Sequence, residues 1–279
     1  PRVILASISG FGQTGPYAKR PGFDQIAQGM GGLMSITGDP DNGPMRVGIP
    51  IADLTAGLFC ALGIQTALIE REKSGKGQWL HTSLLQSQIF MLDFQAARWL
   101  MQGEIPSQVG NEHPTSVPTN RYLTKDGSVN IAVAGEETWQ RLCKALDRDD
   151  WAKDERMSSN AKRAARRAEL NAEISKITAT RKSADWVDLL TEAGVPCGPI
   201  YKIDELFDDP QVQHLEVSQA LNTEPFGETQ ALSQPFQLSR TPSKLSASPP
   251  TRGQHTEELL DELGIGTDEY TKLQNESVV

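Results

Sequence analysis

Between Thr55 and Lys73 apolar residues occupy nearly every face of a 3.6-residue repeat, which predicts a helix packed between layers. Upstream, Val3 to Ile8 predicts a short buried strand that runs into SGFGQTGPYAKRPGFD, a segment whose glycines and prolines predict a loop. Residues 26–36 are apolar and glycine-rich, and TGDPDNGP marks a turn. GKGQ breaks the long helix, WLHTSL predicts a second strand, and Leu84 to Met101 predict another long helix. This alternation implies an α/β layer architecture with a mainly parallel sheet.

From Gly103 the pattern changes. GEIPSQVGNEHPTSVPTN is an unusually long loop, and loops of that length tend to be functional or linking. RYLT and SVNIAVA, separated by KDG, predict a hairpin. Helices are expected at Glu136 to Leu146, Arg163 to Ala179 and Ala184 to Ala193, making a second, smaller α/β unit. In the tail, Thr256 to Leu263 is helical in period, Gly264 is placed to end that helix, and Thr267 to cap a last short one.

The chain has 279 residues, enough for one large domain or two ordinary ones, and its 38% hydrophobic and 23% charged content is that of a globular protein. A net charge of −9 argues against nucleic acid as a partner. Residues 1–100 are nearly neutral, with eight Lys or Arg against seven Asp or Glu, so the acidity lies in the remainder. No uninterrupted apolar run of about 18 residues announces a membrane span. Cys60, Cys143 and Cys197 are odd in number and far apart, the usage of a reducing compartment, and a cytoplasmic location is expected. The four histidines lack the spacing of common metal motifs, so no metal is expected. The start at Pro1-Arg2, directly before a core strand, implies that N-terminal sequence precedes these residues.

Several residues invite a chemical reading beside a plainer one. Gly10, Gly12 and Gly15 spell GxGxxG after a strand, yet Pro16 and Pro21 keep the following residues out of a helix, which argues against a dinucleotide site. Asp53 precedes a helical run and reads as a cap or a nucleophile; the two roles are compatible, because a cap keeps the carboxylate ionised and fixes its direction, although full capping would work against attack. Asp24, in PGFDQIAQ, is either the cap of a helix beginning at Gln25 or a second carboxylate near Asp53, where proximity would raise one pKa. Asn111, Glu112 and His113 lie in the long loop. There a histidine beside a glutamate is either a surface pair or a base. Trp139 and Trp186 fall on apolar helix faces and are expected in the core. Cys197, between Pro196 and Gly198, is read as a rigid turn or strand start rather than a nucleophile.

The run ASISGFGQTGPYAKRPGFDQIAQGMGGLMSITG, then IADLTAG and IEREKSGKGQ, closely resembles the class III CoA-transferase family, also called CaiB/BaiF or formyl-CoA transferase-like. The likeness continues in order through GNEHPTSVP, TWQRLCKAL, EAGVPCGPI, DELFDDPQV and RGQHTEELLDELG, spanning essentially the whole chain. It implies an α/β fold with a Rossmann-like large domain and a smaller α/β domain, in an interlocked homodimer. On this reading residues 1–108 form part of the large domain, 109–209 the small domain with connecting segments, and 210–279 the return to the large domain. Family members carry a further N-terminal section.

The same resemblance implies that Asp53 is the nucleophile, acylated first as an anhydride and then as a CoA thioester while CoA passes between carboxylic acids. It gives Asp24 the orientation of Asp53, and sets Gly10, Phe11, Gly12, Arg20 and Phe23 at the CoA site. Coenzyme A and acyl-CoA are then substrates, small carboxylic acids are partners, and no prosthetic group is needed. The related α-methylacyl-CoA racemases carry a proton-abstracting histidine at the place of Phe23, which phenylalanine cannot replace. Racemisation or isomerisation, and an inactive fragment that retains an acyl-CoA-binding or dimerisation surface, are the competing readings. GNEHPTSVP stands where formyl-CoA:oxalate transferases have consecutive glycines. That departure disfavours formate and oxalate, leaves room for a larger acid such as a dicarboxylate, and makes Asn111 and His113 candidate substrate contacts. Pro21 replaces a lysine of some members, with Arg20 or Lys19 as local substitutes.

Overall fold

The computed structural model describes residues 1–223, 227–245 and 248–279, in two compact units, Pro1–Ile200 and Tyr201–Val279. The first unit opens with β1 (Leu5–Ser9), followed by α1 (Asp24–Met30), α2 (Leu33–Ile36), a 3-10 turn at Pro40–Asn42 and the 24-residue α3 (Ile51–Ser74). β2 (Trp79–Ser83) pairs parallel with β1, from Leu5 opposite Trp79 to Ser9 opposite Ser83. Parallel neighbours need a crossover between them, and α3 supplies it, packing on both strands. Ser83 ends β2 and caps α4 (Leu84–Phe90), its Oγ accepting from the Gln86 amide at 3.1 Å.

The single helix expected over Leu84 to Met101 is two. α4 stops before Asp93, whose φ of 48° breaks the helical path, and α5 (Phe94–Gln102) resumes beyond it. The mainly parallel sheet is also corrected. β1–β2 is the one parallel pair among the described residues, while β3 (Thr119–Leu123), β4 (Ser128–Ala132) and β5 (Cys197–Pro199) form an antiparallel sheet in the order β3-β4-β5. The four-residue link between β3 and β4 is too short for anything but a hairpin.

Around that sheet lie α6 (Gly135–Ala145), α7 (Asp149–Lys153), a 3-10 turn at Glu155–Met157, α8 (Asn160–Ala165), α9 (Arg167–Thr178) and α10 (Ser183–Glu192). The helix expected over Arg163 to Ala179 is thus divided at Arg166. Here the chain has its closed core: Tyr122, Ile131, Trp139, Leu142, Leu170, Ile174, Trp186 and Leu190 are almost wholly buried, with both tryptophans where the helical pattern puts them. The guanidinium of Arg163 is buried with them. It donates to the carbonyls of Val117 at 2.8 Å and Met157 at 2.9 Å and pairs with Glu136 at 2.6 Å, so the buried charge is fully partnered.

The second unit contains α11 (Ile203–Leu206), α12 (Pro210–His214), the antiparallel pair β6 (Ser218–Thr223) and β7 (Gly227–Leu232), α13 (Thr256–Glu262) and α14 (Thr267–Asn275). Gly264, at φ 83°, follows the end of α13. Thr267 is the first residue of α14 rather than its cap; Gly266 holds the cap position.

α3 covers β1, β2, α1 and α4 with one face and leaves Leu54, Leu58 and Leu62, four residues apart, exposed on another. Although no apolar run is unbroken for 18 residues, α3 is long and apolar enough to cross a membrane by length and composition.

The parallel pair depends on Gly77, where a Cβ would stand 1.9 Å from the Val3 carbonyl oxygen. Gly77→Ala is expected to destabilise the unit by about 1–3 kcal/mol, read as a thermal melt several degrees lower. An unchanged melt would show that the approach of residues 1–3 to Gly77 does not contribute to stability.

Candidate active site

Asp53 lies in the first turn of α3, which opens at Ile51, three residues earlier than a cap at Asp53 requires. The cap reading of Asp53 is therefore corrected. Pro50 occupies the cap position without a side-chain bond, and Asp24 reaches across to the free helix end, its Oδ1 accepting from the Ala52 amide at 2.8 Å. Asp24 does not cap its own helix either. It is the first residue of α1, behind Phe23.

The two carboxylates thus divide two functions. Asp24 is buried and satisfied: Oδ1 holds Ala52 and Oδ2 accepts from Gln28 Nε2 at 2.6 Å. Asp53 is exposed and makes no side-chain hydrogen bond among the described residues. Desolvation, and after it the negative charge of Asp24, raise the Asp53 pKa above the ordinary carboxylate value. An anion bound by several amides is stabilised and loses nucleophilicity; Asp53 keeps its lone pairs free because its neighbour takes the amide. Sequence reading missed Gln28, although the i, i+4 spacing of Asp24 and Gln28 places them on one face of a helix.

Gly10 and Gly22 cross back to back, so that a Cβ on Gly10 would stand 3.0 Å from the Gly22 Cα. The Leu85 amide donates to the Gly10 carbonyl at 3.2 Å and ties this loop to the head of α4. Phe11 meets Tyr17 edge to face at 6.0 Å, and the Arg20 guanidinium lies 3.7 Å over the Tyr17 ring, a cation–π contact. Phe23 is 77% exposed. Gly12, at φ 109°, donates its amide to Ser9 Oγ at 3.1 Å, so that amide is not free for an oxyanion as glycine-loop chemistry would want. No helix follows Gly15 directly, since α1 begins only at Asp24; the dinucleotide motif lacks the helix end that receives a pyrophosphate.

The loop around Asn111 and His113 is anchored. Glu112 accepts from Asn171 at 2.7 Å and pairs with Arg167 at 3.4 Å, while Arg167 also donates to the carbonyls of His113 at 2.7 Å and Pro114 at 3.0 Å. Tyr122 completes this network through Asn171 at 2.6 Å, and its burial drives the phenol pKa upward. Asn160 bonds the carbonyl of Thr115 and the amide of Val117. His113 Nδ1 accepts from the amides of Thr115 and Ser116, and its ring stacks on Phe94 at 5.9 Å. The Glu112–His113 surface pair is thus replaced by Glu112–Arg167, and of the His113 ring nitrogens only Nε2 remains for a ligand. Asn111 is exposed and lines an open groove of about 560 Å³ with Asp39, Asp41, Gln108, Glu112 and Arg121. Among the described residues no hydrogen bond or ring contact joins Asp53 to Asn111 or His113. Cys197 lies in β5, where burial pushes its thiol up to about 11, a poor setting for a nucleophile.

With this geometry in hand, residues 1–256 match the model of CoA-transferase family III. The chain belongs to that family. The chain is 38% identical over 263 residues to the succinate–glutarate CoA-transferase of Agrobacterium fabrum, covering 94% of this chain and 66% of that protein. It is 35% identical to the succinyl-CoA:mesaconate CoA-transferase of Haloarcula hispanica, covering 96% and 68%. A crystal structure of a CAIB/BAIF family protein from Brucella suis superposes with a TM-score of 0.80 at 36% identity, over 94% of this chain and 68% of that one. The family III chain therefore spans about two thirds of the length of these relatives.

In this family III chain, Asp24→Asn removes the like charge while leaving an amide oxygen for the Ala52 N–H. The Asp53 titration, followed by its carboxyl carbon NMR shift, is expected to move to lower pH. Asp53 then stays ionised further into acid, with the desolvation part of the shift retained. An unmoved titration would show that the Asp24 charge does not reach Asp53.

Proposed function

We propose that the protein transfers coenzyme A between carboxylic acids, with Asp53 as the covalent carrier. The observation that carries this reading is the exposed Asp53 carboxylate, unpaired among the described residues, beside a buried Asp24 that takes a helix-end amide in its stead. One Asp53 oxygen attacks the acyl-CoA carbonyl, and the carbon–sulfur bond breaks to release CoA thiolate and leave a mixed anhydride. The thiolate attacks the Asp53 carbonyl carbon, expelling the donor acid and leaving an aspartyl-CoA thioester. The acceptor carboxylate attacks that thioester and releases the thiolate again. A final attack of the thiolate on the acceptor carbonyl forms the new acyl-CoA and regenerates Asp53. Acyl activation is conserved throughout, which requires water to be kept from both anhydrides.

Relatives named for succinate, glutarate and mesaconate favour dicarboxylic acids as donor and acceptor, in line with the absence of the consecutive glycines of the formate–oxalate enzymes. We take the working assembly to be the interlocked homodimer that the resemblance implies.

Asp53→Ala is expected to lose CoA exchange between succinyl-CoA and free dicarboxylic acids by at least about a thousandfold. The unsubstituted protein mixed with succinyl-CoA should show a hydroxylamine-sensitive adduct at Asp53 by peptide mass spectrometry. Asp53→Asn should melt no lower at pH 7: a carboxylate whose pKa is raised by folding costs stability once ionised, so that penalty sets in as pH rises and vanishes in the amide. Normal exchange by Asp53→Ala, or α-hydrogen exchange without movement of CoA, would overturn the proposed function.

A further inference from the structure

We propose that Gln28 is a positioning residue for Asp53, an inference that rests on the nucleophile reading above. Gln28 is fully buried in α1 and makes contacts of both polarities. Its Nε2 donates to Asp24 Oδ2 at 2.6 Å and, more weakly, to the Ile49 carbonyl at 3.4 Å, while its Oε1 accepts from the Val47 amide at 2.9 Å. Asp24 in turn holds the Ala52 amide. The segment 47–52, which delivers Asp53 to the head of α3, therefore hangs at both ends on two side chains one helical turn apart.

A donor and an acceptor on one side chain of this length are what the site uses. Methionine has the length and neither strong group; an ionised glutamate can only accept, and it faces Asp24. Protonated glutamate can do both, donating to Asp24 with one oxygen and accepting from Val47 with the other. The packed helices add few other charges. α1 carries Asp24 alone, α2 and α4 have no ionisable side chain, and the first turns of α3 contribute Asp53. A carboxyl at position 28 thus titrates beside these two carboxylates, and Arg46, next to Val47 in the segment that bonds Gln28, is the cation of that segment.

The test is steady-state CoA exchange by Gln28→Met and Gln28→Glu in the full protein, across a pH range and relative to the unsubstituted protein. Gln28→Met should lower kcat at least about tenfold while KM for acyl-CoA changes by less than about threefold. Gln28→Glu should approach normal kcat at low pH and lose it as pH rises, through a limb that the parent lacks. A role confined to packing does not produce that limb. A Met variant with kcat within about twofold of the parent overturns the proposal, as does a Glu variant whose relative kcat is constant with pH or that folds at no pH. Asp53→Ala run in parallel separates the two readings. Exchange that survives it defeats the nucleophile itself, whereas exchange that needs Asp53 but ignores Gln28 defeats only the positioning role.

Discussion

The hydrogen bond from the Ala52 amide to Asp24 sets the electrostatic character of the head of α3, and much of the site follows from it. A helix end presents unpaired amides and partial positive charge, and a carboxylate in the first turn would ordinarily drift to satisfy them. Such a charge-assisted bond contributes about 1.5–3 kcal/mol, and with the bond from Gln28 it offsets part of the cost of burying Asp24. With the Ala52 amide occupied by Asp24, that amide is closed to Asp53. It remains beside a like charge, exposed and raised in pKa by desolvation and by Asp24.

Elsewhere polar groups immobilise rather than react. Glu112, Asn171, Arg167 and Tyr122 knit the 111–116 loop to α9 and β3, and Asn160 fastens its far end from α8. The backbone of this loop is thus held at several points. Asn111 and the outer nitrogen of His113 are the polar groups of this loop that the anchoring bonds leave free among the described residues.

The two regions of the first unit are built differently. Residues 117–195 close on a core of tryptophans and branched residues around an antiparallel sheet. Around β1, β2 and α3 the buried apolar residues are mostly small, Ala27, Ala52, Ala56, Cys60 and Ala67, because helices and strands approach closely there. That close approach is what lets a side chain from α1 reach the backbone of α3 and the loop before it.

Local pattern alone determined the long α3, the hairpin of β3 and β4, the helices α6 and α10, and the burial of Trp139 and Trp186. These properties follow from side-chain periodicity and turn chemistry within a few residues. Tertiary structure decided which carboxylate takes the helix end, that Gly12 spends its amide on Ser9, that Glu112 pairs with Arg167, and that β1–β2 is the lone parallel pair among the described residues. Each of these matches a donor to an acceptor that the chain brings near only after folding. Asp24 and Ala52 stand 28 positions apart, beyond the reach of any local periodicity, and only packing of α1 on α3 brings them into contact.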